Sequence, residues 1–82
     1  MQEALSYYTK SIEYDSTLTA SYCNRALVYL KLKEYQKTVD DCNQVLKLDK
    51  RNKHKLEYLK AYHRRGKAFL ELKQFEDALD DF

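Results

Sequence analysis

The sequence predicts an all-α fold, a solenoid of about five helices arranged as antiparallel helical hairpins, on three observations. The 82 residues contain no proline and a single glycine, so little in the chain interrupts helices. Apolar residues recur at three- and four-residue steps, as in Tyr22, Ala26, Tyr29 and Leu30, then Val39, Cys42, Val45 and Leu46, the period of a helix with one buried face. The chain also repeats itself. "YCNRALVYLKLKEYQKTVDDC" (22–42) lies over "YHRRGKAFLELKQFEDALDDF" (62–82) at an offset of 40, without a gap, with seven identities in 21 pairs. A period of this length marks stacked supersecondary units.

The elements follow from that register. Helices are expected at about 2–14, 19–32, 35–48, 53–72 and 75–82. "ALSYYTKSIEYD" (4–15) overlays "TVDDCNQVLKLD" (38–49) at an offset of 34, so the first helix is equivalent to the third. Residues 1–16 then form the second helix of a first repeat, 19–50 a full repeat, and 59–82 a last repeat cut short. "DSTLTAS" offers side chains that cap helix N-termini, and the short link "LKEY" closes the central hairpin. The register begins and ends inside repeats, so a piece of a longer solenoid is the expectation. The two offsets differ by six residues, which fall in the basic stretch "KRNKHKLEYLK". Residues 51–58 are either a basic loop or an extension of the following helix, with Leu56 and Leu59 continuing its apolar stripe.

Composition excludes several functions. A net charge of +2 is too small to imply a nucleic-acid partner. No apolar run is long enough for a membrane span, and "MQEALSYYTK" lacks the basic start and apolar block of a signal peptide. Cys23 and Cys42 read as buried small apolar residues in a reducing, cytoplasmic setting, with a disulfide as the alternative. With the two histidines they lack metal-ligand spacing. No phosphate loop, nucleophile elbow or cofactor motif occurs, and His63 has no partner at a spacing that suits a catalytic base. The expectation is a non-enzyme without metal or cofactor.

Charge is concentrated. Between Lys47 and Lys67 nine Lys and Arg residues face only Asp49 and Glu57, whereas 71–82 carries five acids against Lys73. The only glycine, Gly66, lies in the basic stretch, aligned with Ala26, which suggests a small residue required by close helix packing. Arg25 and Arg65 recur in register, as do Asp41 and Asp81, which suggests a structural ion pair between helices in each unit.

The spacing of small and aromatic residues in "RALVYLKLKEY" and "RGKAFLELKQF", the small residue Ala78 and the closing "KLD" and "YD" resemble the tetratricopeptide repeat. The resemblance covers the whole chain. It departs from the family pattern at the closing proline, where Ser16 and Lys50 stand, and at the inter-helix glycine, replaced by Lys33 and Lys73. In such a solenoid the first helices of successive hairpins line a concave groove. Asn24 and Arg64 occupy equivalent positions there, and Lys60 lies one turn before Arg64. Spacing alone reads these as solvent-facing side chains. The sequence is similar, however, to the carboxylate-clamp co-chaperones and adaptors of the family. That likeness implies that Asn24, Lys60 and Arg64 hold the acidic C-terminal tail, ending Glu-Glu-Val-Asp, of a heat-shock chaperone of the seventy or ninety class. Leu27, Lys31, His63 and Lys67 would line the groove beside them. The branch also uses a lysine and an asparagine on a preceding helix that has no counterpart in this sequence. Two other readings remain open: a structural scaffold within a large assembly, ciliary or axonemal among them, and an interaction segment of an enzyme whose catalytic domain lies elsewhere.

Overall fold

The computed structural model describes residues 1–50 and 56–73. Within them lie four α-helices, α1 (Gln2–Tyr14), α2 (Thr19–Lys31), α3 (Tyr35–Leu48) and α4 (Leu56–Lys73), and no strand. The all-α expectation holds, and the first three helices match their expected bounds to within a residue. The fifth expected helix, at 75–82, and residues 51–55 of the insertion lie outside the described residues. The rest of the insertion, residues 56–58, is the first turn of α4. No described helix is long and apolar enough to cross a membrane.

The core is built from small side chains. Tyr22, Cys23 and Ala26 of α2 meet Cys42 and Val45 of α3 and Ala61 of α4, with Ile12 of α1 and Leu46 packed against them. Small residues let helix backbones approach closely, and the gap is filled by a few larger neighbours. Both cysteines are buried free thiols, not a disulfide. Leu56 and Leu59 do not continue a buried stripe as expected, since both are largely exposed. The buried face of α4 is instead marked by Ala61 and Ala68, seven residues apart. Close approach to α2 and α3 at that face selects alanine over leucine.

Arg25 ties three helices together. Its Nε and Nη2 donate to the two carboxylate oxygens of Asp41 at 2.7 and 2.6 Å, and its Nη1 donates to the Thr9 hydroxyl at 3.3 Å. The guanidinium also lies against the rings of Tyr22 and Tyr29, 5.9 and 5.6 Å from their centroids. This is the ion pair the repeat suggested. Burial pushes the Asp41 carboxyl up, against the opposing pull of the Arg25 hydrogen bond, while the bond to Asp41 raises Arg25. Arg65 stacks in the equivalent way on Tyr62 and Phe69, and donates to Asn43 Oδ1 of α3 at 2.9 Å. Its expected partner, Asp81, lies outside the described residues.

Two turns depart from expectation. The residues before α2 do not cap it: its N-cap is Leu18, which makes no side-chain hydrogen bond. Asp15 instead accepts hydrogen bonds from the Thr17 amide and hydroxyl, at 2.9 and 2.6 Å, in an Asx turn. These bonds hold the Asp15 carboxyl below its usual range. The turn is secured further by the Tyr22 hydroxyl, which donates to the Ser16 carbonyl. Between α2 and α3, Lys33 adopts φ of 62°, the left-handed conformation that usually falls to glycine just past a helix end. The chain thus makes this turn without a glycine.

Gly66 is not held in close packing by the described helices. Apart from its chain neighbours and the nearby α4 backbone, no described atom lies within 4 Å of a Cβ built there. The close packing expected from its register with Ala26 is therefore not seen among the described residues.

Candidate peptide-binding groove

Two helices carry the candidate residues. On α2, Asn24, Leu27 and Lys31 are spaced i, i+3, i+7, and on α4, Lys60, His63, Arg64 and Lys67 are spaced i, i+3, i+4, i+7. Each set therefore forms one stripe. Asn24, Lys31, Lys60, His63 and Lys67 are exposed, and Leu27 and Arg64 are half-buried. No carboxylate belongs to either stripe.

The two helices meet at Cys23. Its thiol donates to the Glu57 carbonyl, 3.7 Å away, at the start of α4. Two turns later Arg64 Nη1 donates to the Cys23 carbonyl at 2.7 Å and to its Sγ at 3.0 Å. This brings the Arg64 guanidinium to the peptide unit that joins Cys23 to Asn24. Lys60 lies on α4 between Glu57 and Arg64. Burial pushes the Cys23 thiol up, and the nearby charges of Arg64 and Lys60 partly oppose that rise. Lys60 and Arg64 of α4 thus lie near Cys23, the residue before Asn24 on α2.

The weaker candidates spread out from there. Lys67 borders an open depression of about 390 Å³ lined also by Leu30, Tyr35, Leu70 and Glu71. It is apolar-floored, with a cation and an anion on its rim. His63, Leu27 and Lys31 belong to the stripes, and no hydrogen bond or ion pair ties them to Asn24, Lys60 or Arg64. Among the described residues no cluster of His, Cys, Asp or Glu could hold a metal ion.

Sequence reasoning missed Cys23, which it assigned to the core alone. The signal was the length of Arg64. A side chain of that reach on α4, in register with Asn24 on the neighbouring α2, can touch the α2 backbone beside Asn24.

A chain so arranged can bind anions. Lysine supplies a compact charge, arginine a planar fork, and asparagine neutral donors. α4 packs onto α2, and Arg64 reaches the α2 main chain beside Asn24.

Comparison with known proteins agrees with this architecture. The family model described as "Tetratricopeptide repeat" matches residues 19–52, the α2–α3 hairpin. The "DnaJ homolog subfamily C member 7" of Mus musculus is 34% identical over 83 residues, covering 96% of this chain and 16% of that protein. "Sperm-associated antigen 1" of Homo sapiens is 36% identical over 80 residues, covering 98% of this chain and 8% of that protein. The "Small glutamine-rich tetratricopeptide repeat-containing protein" of Dictyostelium discoideum is 43% identical over 65 residues, covering 79% and 18%. The chain therefore spans less than a fifth of the length of these relatives. No solved structure matches it. With its α2–α3 hairpin, its matched repeat and these relatives, the chain belongs to the tetratricopeptide repeat family of protein-interaction modules.

Proposed function

We propose that this module binds the acidic C-terminal tail of a protein partner, of the Glu-Glu-Val-Asp type carried by heat-shock chaperones, and that it performs no catalysis. The observation that carries this reading is the bond from Arg64 to the Cys23 carbonyl, which brings Arg64 of α4 to the main chain beside Asn24 of α2, with Lys60 one turn before Arg64. A C-terminal residue with an acidic side chain offers two carboxylates within a few ångströms. Lys60 and Arg64 match them in charge, and the Asn24 amide matches a peptide group or a carboxylate oxygen. Lys31 and Lys67 extend the positive field along the chain of such a tail, and Leu27 offers an apolar contact for a side chain between its acids. A relative named as a DnaJ homologue is in keeping with a partner from a chaperone system.

Calorimetric titration with a peptide ending Glu-Glu-Val-Asp tests the reading. With the first helix of the first repeat present, the protein is expected to bind at about micromolar Kd, and more weakly without it. Lys60→Glu and Arg64→Glu are expected to abolish the heat signal. Absence of binding by the wild-type protein, or wild-type affinity in both variants, overturns it.

A second reading, a scaffold whose groove is filled by a helix of a neighbouring subunit, is favoured by one observation. Leu56, Leu59, Leu70 and Leu72 leave much apolar surface exposed along α4. In that case Lys60→Glu would leave assembly intact, and no acidic peptide would bind.

A further inference from the structure

We propose that Cys23 is a positioning residue for Arg64, presetting its guanidinium to receive a carboxylate. This rests on the acidic-tail reading of the groove and adds to it a residue outside the expected clamp.

The geometry runs through one nitrogen. Arg64 Nη1 is anchored on both the carbonyl and the sulfur of Cys23, at 2.7 and 3.0 Å. Those two bonds use both Nη1 protons. Among the described residues nothing is bonded to Nε or Nη2, so three donors remain, and two of them, Nε–H and one Nη2–H, lie parallel along one edge of the fork. That edge is the one a carboxylate engages with two parallel bonds. Anchoring at Nη1 therefore does not compete with the ligand. It fixes the plane and direction of the fork before the ligand arrives, which saves the ordering of a side chain rich in rotamers.

Cys23 is itself held. It is 1% exposed, in the cluster that joins α2, α3 and α4, and its thiol proton is directed to the Glu57 carbonyl. With that proton given to α4, the sulfur lone pairs face Arg64. A β-branched residue would put a methyl carbon, which cannot accept a hydrogen bond, about where Sγ lies 3.0 Å from Nη1. An alanine would keep the carbonyl and lose the sulfur. The small, accepting side chain at this one position lets Arg64 fold back onto α2.

A double-mutant cycle in the intact protein tests the assignment, with a peptide ending Glu-Glu-Val-Asp as the probe. Cys23→Val is expected to weaken binding about tenfold, and Cys23→Ala, which cannot overpack the core, about threefold. In an Arg64→Lys background, where no planar fork remains to be oriented, both substitutions are expected to change affinity by less than about twofold. A structural role for Cys23 would lower affinity equally in the two backgrounds, and that result, or unchanged affinity of the Cys23 variants with Arg64 intact, overturns the proposal. The side-chain 15N resonance of Arg64 Nε separates this proposal from the reading it rests on. It is expected to shift in Cys23→Ala even if no peptide binds. A resonance indifferent to Cys23 overturns the positioning role, whereas a shifted resonance without peptide binding would leave the positioning in place and remove the acidic-tail ligand.

Discussion

Arg64 on α4 donates a 2.7 Å hydrogen bond to the main-chain carbonyl of Cys23 on α2, so the residue at the centre of the candidate groove is also a tie between two helices. Lys60, one turn earlier on the same stripe, is exposed and makes no such bond. The two cations should therefore separate in mutagenesis. Arg64→Ala is expected to lower the free energy of unfolding by about 1–2 kcal/mol, as loss of a charge-assisted bond to a buried carbonyl does, and to abolish peptide binding. Lys60→Ala is expected to weaken binding while stability stays within about 0.5 kcal/mol. Urea unfolding of the two variants beside their peptide titrations checks this. An equal loss of stability would contradict the difference between their environments.

The Arg25–Asp41 pair makes a second prediction. The side chains are 17% and 5% exposed, so removing one leaves the other in a setting poorly served by water. Arg25→Leu alone is expected to destabilise by about 3 kcal/mol, and Arg25→Leu combined with Asp41→Leu to recover most of that loss. Denaturant midpoints of the single and double variants give the comparison.

Lys33 holds a left-handed backbone, at φ of 62°, that a side chain disfavours by about 1–2 kcal/mol. Relief of that strain outweighs the larger backbone entropy that glycine brings to the unfolded chain. Lys33→Gly is expected to raise stability by about 0.5–1 kcal/mol, read as a higher urea midpoint at unchanged slope. A lower midpoint would contradict the strain.

The buried thiols predict a pH effect. Burial pushes Cys42 from the ordinary 9.0 up to about 12. Above the ordinary value the unfolded chain releases this proton and the folded chain keeps it, so stability is lost as pH rises from 9.0 toward 12. Cys42→Ala is expected to flatten that part of the stability profile. At pH 8 neither Cys23 nor Cys42 should react with iodoacetamide until the protein is unfolded, which mass spectrometry of native and denatured samples reads directly.

Helix positions were legible in the sequence because the 3.6-residue period and the 40-residue register are properties of the chain itself. So was the Arg25–Asp41 pair, since two charged positions recurring together point to a shared contact. Local turn chemistry was less legible. Asp15 and Thr17 could have capped α2 or bonded each other, and composition does not distinguish the two uses. Leu56 and Leu59 looked like core by residue type, but the spacing between α4 and its neighbours is set by Ala61 and Ala68. For the candidate groove, the stripes followed from helical spacing. The anchoring of Arg64 did not, because it depends on a backbone carbonyl, which every residue has, and on the reach of one side chain across a helix interface.

The acidic-tail claim is tested most directly by titrating the protein with two versions of one peptide ending Glu-Glu-Val-Asp, one with a free C-terminal carboxylate and one amidated. Paired carboxylate recognition by Lys60 and Arg64 predicts about micromolar binding of the free acid, weakened tenfold or more by amidation and weakened again by added salt. Equal affinity for the two peptides, or no binding of either, would contradict it.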